Sequence, residues 1–238
     1  MKELHIKGCM PAPELEHASP DAEIWGLNSQ RKNPPPRASA WFQLHGLGHM
    51  LERHGADYFA WMSQLQMPLF LFEAQIDRWP EFVAANGMGG LLLPAEIRRF
   101  PADLACHPKF GGMYKTNTID WLMALAMAWG YGPIHLVGLE YGTGELWASR
   151  RKAAKWIEDM SYHYRPTEPR EELAKVVADL RGVCVGDVPG DESWARTSIE
   201  YYIGLAQGRG IEVTWNEGSG LFRNHHGGRY GLEAAGHE

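Results

Sequence analysis

The chain has 238 residues, 45% of them hydrophobic and 22% charged, with a formal net charge of −6. That length and apolar share suit one large α/β domain with its own core, and the acidic balance argues against a broad electrostatic footprint for nucleic acid. Cys9, Cys106 and Cys184 lie far apart without CxxC spacing, the start of the chain has no apolar signal core and no apolar run approaches about 18 residues, so a cytoplasmic protein that does not enter the membrane is expected.

Residues 4–8 alternate and run into Gly-Cys-Met-Pro, which predicts a first strand and a tight turn. Residues 22–28 and 39–45 read as the second and third strands, with a polar, proline-rich stretch between them. Met50, Leu51, Tyr58, Trp61, Met62 and Leu65 trace a helical stripe through residues 48–65. The run Pro68-Leu-Phe-Leu-Phe72, ending at Glu73, has the continuous apolar character of a strand buried on both faces. Residues 74–112 mix proline, glycine and short helical pieces, and read as the longest irregular region before the C-terminal half.

Residues 119–129 are apolar almost all round, which predicts a fully buried helix with Thr118 as its N-cap, Asp120 in the first turn and Gly130 as its stop. A strand over residues 133–140 follows. Residues 145–162 read as a charged amphipathic helix carrying Arg150, Arg151, Lys152 and Lys155, and residues 170–180 as a second helix. Residues 199–215 give a buried helix, a glycine stop and a last strand. Alternating strands and helices argue for a three-layer αβα architecture around a mainly parallel sheet of about six strands. The domain spans 1–143 and 192–238, with 144–191 as a helical insertion or lid.

In such sheets ligands bind beyond the strands' C-terminal ends at a topological switch point. Those ends are Gly8 and Cys9, Asn28, His45, Glu73, and Glu140 with Tyr141; Gly138 belongs to the last of these turns. His45 is a candidate general base because its unperturbed pKa is near neutral, and Glu140 could act as a base or hold ribose hydroxyls. Asn28 suits a ribose hydroxyl or base edge, or is an ordinary turn asparagine. Thr116, Asn117 and Thr118 either cap a helix or receive a phosphate at its N-terminus. His45 and His49 are separated by Gly46 and Gly48, so no protein metal site is expected there or elsewhere. The basic runs at residues 150–155 and 223–229 read as solvated faces or phosphate contacts. Walker A, GxSxG and full GxGxxG motifs are absent.

Ala22-Glu-Ile-Trp-Gly-Leu-Asn28, Trp41-Phe-Gln-Leu-His45, Tyr114-Lys-Thr-Asn-Thr-Ile119, Ile134-His-Leu-Val-Gly-Leu-Glu140, residues 199–214 and Ser219-Gly-Leu-Phe222 occur in that order. Together they resemble a family of small bacteriophage proteins with a Rossmann-like fold. That family is distantly similar to single-domain bacterial sialyltransferases and to 6-hydroxymethylpterin pyrophosphokinase-like domains. The resemblance implies that Gly8, Asn28, Thr116, Asn117, Thr118 and Gly138 face a nucleotide, and that Tyr201 and Tyr202 hold its phosphate. The first turn departs from the pattern, with Cys9-Met-Pro in place of a small glycine/serine loop.

The expected function is therefore a phage-type, nucleotide- or nucleotide-sugar-binding transferase. A glycosyltransferase acting on a hydroxyl acceptor such as modified DNA is the sharper form, with His45 or Glu140 taking the acceptor's proton. The expected cofactor is a nucleotide sugar donor, with a divalent cation left open. A non-catalytic protein that sequesters a nucleotide or contacts a host protein is the alternative, and a pyrophosphokinase using ATP and Mg²⁺ is a third. Oligomeric state is not legible in the chain.

Overall fold

Strand alternation builds the centre of the fold. In β1 (Lys2–Lys7), Leu4 and Ile6 face one side and Glu3, His5 and Lys7 the other, with both apolar residues fully buried. The structure, a computed structural model, describes residues 1–8, 12–28, 34–112, 115, 117–139, 191–216, 219 and 221. Around β1 lie β2 (Glu23–Leu27), β3 (Ala40–Phe42), β4 (Leu69–Leu71), β5 (Ile97–Arg99), β6 (Tyr131–Val137) and β7 (Val213–Trp215). Among the described residues they form one seven-stranded sheet in the order β5-β4-β3-β2-β1-β6-β7, and every pairing is parallel.

Parallel strands need crossovers, and the helices cover both faces. One face packs Leu4, Ile6, Trp25, Phe42, Phe70, Ile134 and Leu136 against α4 (Ala102–Ala105), α5 (Thr118–Trp129) and α6 (Asp191–Gln207). On the other, Trp41, Leu69 and Leu71 pack against α1 (Leu47–His54), α2 (Ala56–Ser63) and α3 (Glu73–Ala85). Trp41/Phe42 and Phe70/Leu71 are sequence neighbours that enter opposite cores. The result is a Rossmann-like three-layer αβα fold, as expected from the sequence. Trp25, Trp41 and Trp79 are almost wholly buried, so these tryptophans are packing residues, each stabilising by about 1.5–3 kcal/mol or somewhat more. No described helix is long and apolar enough to cross a membrane.

Four expectations change. The sheet has one more strand than expected, because β5 is a short edge strand whose Arg98 and Arg99 carry no apolar signal. The predicted helix over 48–65 is two helices broken at Gly55, whose φ of 69° lies in the left-handed region that glycine tolerates. Glu73 does not end a strand but starts α3, and pairs with Arg99 at 2.7 Å. That helix runs through Pro80, which is exposed, while Gln75, Trp79 and Val83 form its buried stripe at i, i+4 spacing. Finally, the N-cap of α5 is Asn117, and Thr118 is its first helical residue. The proposed insertion, apart from Asp191, lies outside the described residues, as do the two basic runs.

Candidate functional site

The chain lays down β1 to β5 in one direction and restarts on the other side of β1 with β6, so the switch point falls between β1 and β6. There the Gly8 N–H extends the ladder to the Val137 carbonyl at 2.7 Å. A Cβ on Gly8 would lie 2.5 Å from the Gly138 carbonyl oxygen and 2.5 Å from Leu139 Cδ2. The two strand ends therefore meet backbone to backbone, with the Leu139 side chain against Gly8 and the buried Lys7 ammonium donating to the Gly8 carbonyl at 3.1 Å. Beyond them Asn216, after β7, holds Leu139 by both ends: its Oδ1 accepts the Leu139 N–H at 2.9 Å and its Nδ2 donates to the Leu139 carbonyl at 3.0 Å. This amide pair prolongs the β6–β7 ladder by one step.

One strand further, Asn28 ends β2 with φ 49°, a left-handed conformation that few residues other than glycine and asparagine adopt. Its carbonyl accepts the Trp41 indole N–H at 3.0 Å and contacts the Tyr58 hydroxyl at 2.5 Å. Tyr58 also lies 2.6 Å from the Gln43 amide oxygen. One phenolic proton cannot serve two acceptors, and turning the Gln43 amide so that its nitrogen donates to Tyr58 satisfies both contacts. With its backbone so held, the Asn28 side chain crosses to α5, where Nδ2 donates to Thr118 Oγ1 at 2.9 Å and Oδ1 accepts from it at 3.3 Å. Both residues are buried, and among the described residues the Asn28 amide uses one N–H and one lone pair, leaving a second of each for a ligand.

This arrangement predicts that Asn28→Ala lowers unfolding free energy by about 2 kcal/mol, through a lost buried hydrogen bond and a forced left-handed backbone. Asn28→Gly should cost less, since only the first term remains. Equal losses for the two variants in urea unfolding would remove the backbone part of the explanation.

The first turn of α5 is closed by its own residues. Asn117 Oδ1 accepts the N–H groups of Ile119 at 2.8 Å and Asp120 at 3.2 Å, and Asp120 Oδ2 accepts the Asn117 N–H at 3.1 Å. Ser198 of α6 donates to Asp120 Oδ2 at 2.7 Å, tying the two helices at this cap. Asn117 thus acts as the helix cap, and the capping fixes Thr118 where it meets Asn28. Next to the cap stands Lys115, which sequence reasoning passed over within its motif. Its ammonium donates to the Gly112 carbonyl and lies 5.0 Å from the Trp121 ring centroid and 5.5 Å from that of Tyr202. Burial pushes its pKa below the ordinary lysine value, against a weaker opposing pull from Cys106 and Asp120.

The other expected residues are dispersed. His45 lies in the loop after β3; its carbonyl is held by Gln75 Nε2 at 2.5 Å, and its ring meets that of His49 edge-on at 5.0 Å. The two tyrosines part company, as neighbours on a helix must. Tyr202 is fully buried with its ring against Gly111, whereas Tyr201 is 44% exposed. Thr116 and Glu140 lie outside the described residues.

No protein-family model matches the chain, and no curated protein matches it in sequence. Among solved structures, it is similar to the sialyltransferase CstII from Campylobacter jejuni in complex with the substrate analogue CMP-3FNeuAc, at 11% identity, covering 90% of this chain and 81% of that one with a TM-score of 0.47. The monofunctional alpha-2,3-sialyltransferase Cst-I from Campylobacter jejuni is similar at 12% identity, over 90% of this chain and 75% of that one, with a TM-score of 0.43. Likeness at this level carries no functional weight, and the site stands on its own residues.

Proposed function

We propose that the chain is a transferase that binds a nucleotide sugar at the β1/β6 switch point and moves its glycosyl group to a hydroxyl acceptor. One observation carries the reading. The strand ends at the switch point bring the backbone of Gly8 against the Gly138 carbonyl and set beside it the buried polar pair Asn28–Thr118, with a cation, Lys115, beside the cap of α5. Backbone approach suits a phosphodiester, the spare amide valences of Asn28 suit a ribose or base, and Lys115 supplies counter-charge for phosphate. The order of motifs, which resembles a bacteriophage family distantly similar to sialyltransferases, supports the same reading.

In the reaction, the acceptor oxygen attacks the anomeric carbon of the sugar and its proton passes to His45 or Glu140. The bond from that carbon to the phosphate oxygen breaks, and the nucleotide leaves with the bonding electrons. In this reading the half-exposed Tyr201 approaches the donor phosphate, while the buried Tyr202 shapes the wall behind Lys115. The sharper form keeps the phage-type reading, with a hydroxymethylated base in DNA as acceptor.

The test is a panel of nucleotides and nucleotide sugars, CMP- and UDP-linked sugars included, read by thermal shift and by product formation on hydroxyl acceptors. Stabilisation by one nucleotide class together with transfer to an acceptor is the expected result. Binding without turnover on any acceptor would favour a sequestering protein, and stabilisation by ATP with Mg²⁺ alone a pyrophosphokinase.

A further inference from the structure

Toward the N-terminal half of β1, three side chains with metal-binding chemistry converge on the sheet face opposite α5 and α6. In the β1–β6 pairing His5 is in register with His135, and Glu3 precedes His5 by two residues on the same face. Glu3 Oε1 lies 2.8 Å from His5 Nε2 and 3.5 Å from His135 Nε2, and one ligand atom from each residue falls within 4.8 Å of the others. The imidazole rings stack with centroids 4.6 Å apart. We propose that Glu3, His5 and His135 form a binding site for a divalent transition metal of zinc type.

Zinc held tetrahedrally at 2.0–2.1 Å by nitrogen and oxygen separates its ligand atoms by about 3.3 Å, within the range these atoms already span. Two imidazoles and one carboxylate match the preference of zinc and its neighbours, and leave a fourth position for water. A further observation points the same way. His135 Nδ1 lies 2.6 Å from Oγ1 of Thr214, its register partner on β7. When Nδ1–H donates to that hydroxyl, the Nε2 lone pair is left facing Glu3, which is the outer-shell arrangement of ligating histidines. His5 is 7% exposed, and because its Nδ1 has no hydrogen-bond partner among the described residues, a metal on Nε2 leaves that nitrogen to carry the ring's proton without an outer partner, unlike His135. The side chains of Glu3 and His135, 30% and 23% exposed, give an ion a way in.

The ion would join β1 to β6, the two strands whose ends form the switch point. His5 is three residues from Gly8, about 10 Å along the strand, so the role is to fix the sheet rather than to touch a nucleotide at its edge. The inference does not depend on the proposed transferase activity.

Chelator-treated full chain titrated with Zn²⁺ by calorimetry and with Co²⁺ by visible spectroscopy tests the site. One ion per chain is expected, with intense Co²⁺ bands of a four-coordinate centre and a rise in Tm with Zn²⁺. Glu3→Gln and His135→Gln, each checked for folding by circular dichroism, should lose at least tenfold in affinity and the Tm gain, while a variant with His225 and His226 both replaced by alanine keeps both. Absence of saturable Zn²⁺ binding would overturn the site. So would binding that survives His135→Gln or disappears with the tail histidines.

Discussion

Gly8→Ala is expected to lower the unfolding free energy by about 2–3 kcal/mol and to abolish nucleotide-dependent stabilisation. The added methyl would enter space held by the Gly138 carbonyl oxygen and Leu139 Cδ2, both 2.5 Å from it. Leu139 can turn aside, but Gly138 is backbone and its strand is bonded to Gly8 through the Val137 carbonyl. Relief therefore requires β1 and β6 to part at the switch point. Gly48→Ala is the matched control, because nothing lies within 4 Å of a Cβ there and the residue is inside α1. That change should be neutral or stabilise by about 0.5–1 kcal/mol through helix propensity. Similar losses for both variants in denaturant unfolding would mean that Gly8 is not constrained as described.

The second large effect concerns His45. If its imidazole receives the acceptor proton, His45→Ala should reduce transfer by about 10²–10⁴-fold while nucleotide binding stays within a few-fold of the parent. The loop should survive the change, since Gln75 holds the backbone carbonyl of residue 45 and not its ring. A loss confined to kcat is the expected pattern. Unchanged turnover would remove His45 from the chemistry and leave Glu140 as the base.

Some of this was legible in the chain because it is written locally. The all-round apolar run of residues 119–129 could only be a buried helix, and nine of the twelve residues of α5 are buried. The helix, Gly-Arg-Gly stop and strand at residues 199–215 appear as α6 and β7. Other features depend on what lies across the fold. Asn117 rather than Thr118 caps α5 because Thr118 is drawn to Asn28, ninety positions away in sequence. The pattern break at Pro80 concealed α3, since a proline on the exposed side of a helix looks like a terminator in sequence. Lys115 stands within a sequence motif, but its placement between two rings is a product of packing. In the Glu3–His5–His135 group only the i, i+2 pair is local; the parallel register of β1 and β6 alone brings in His135.

The central claim, that a nucleotide is held where β1 and β6 diverge, is tested most directly by a crystal structure of the chain with the best nucleotide sugar from the panel. The account predicts the nucleotide over Gly8 and Gly138, with its ribose or base hydrogen-bonded to the Asn28 amide and its phosphate approached by Lys115. A nucleotide bound elsewhere on the molecule, with Asn28 and Thr118 still paired only to each other, would contradict it.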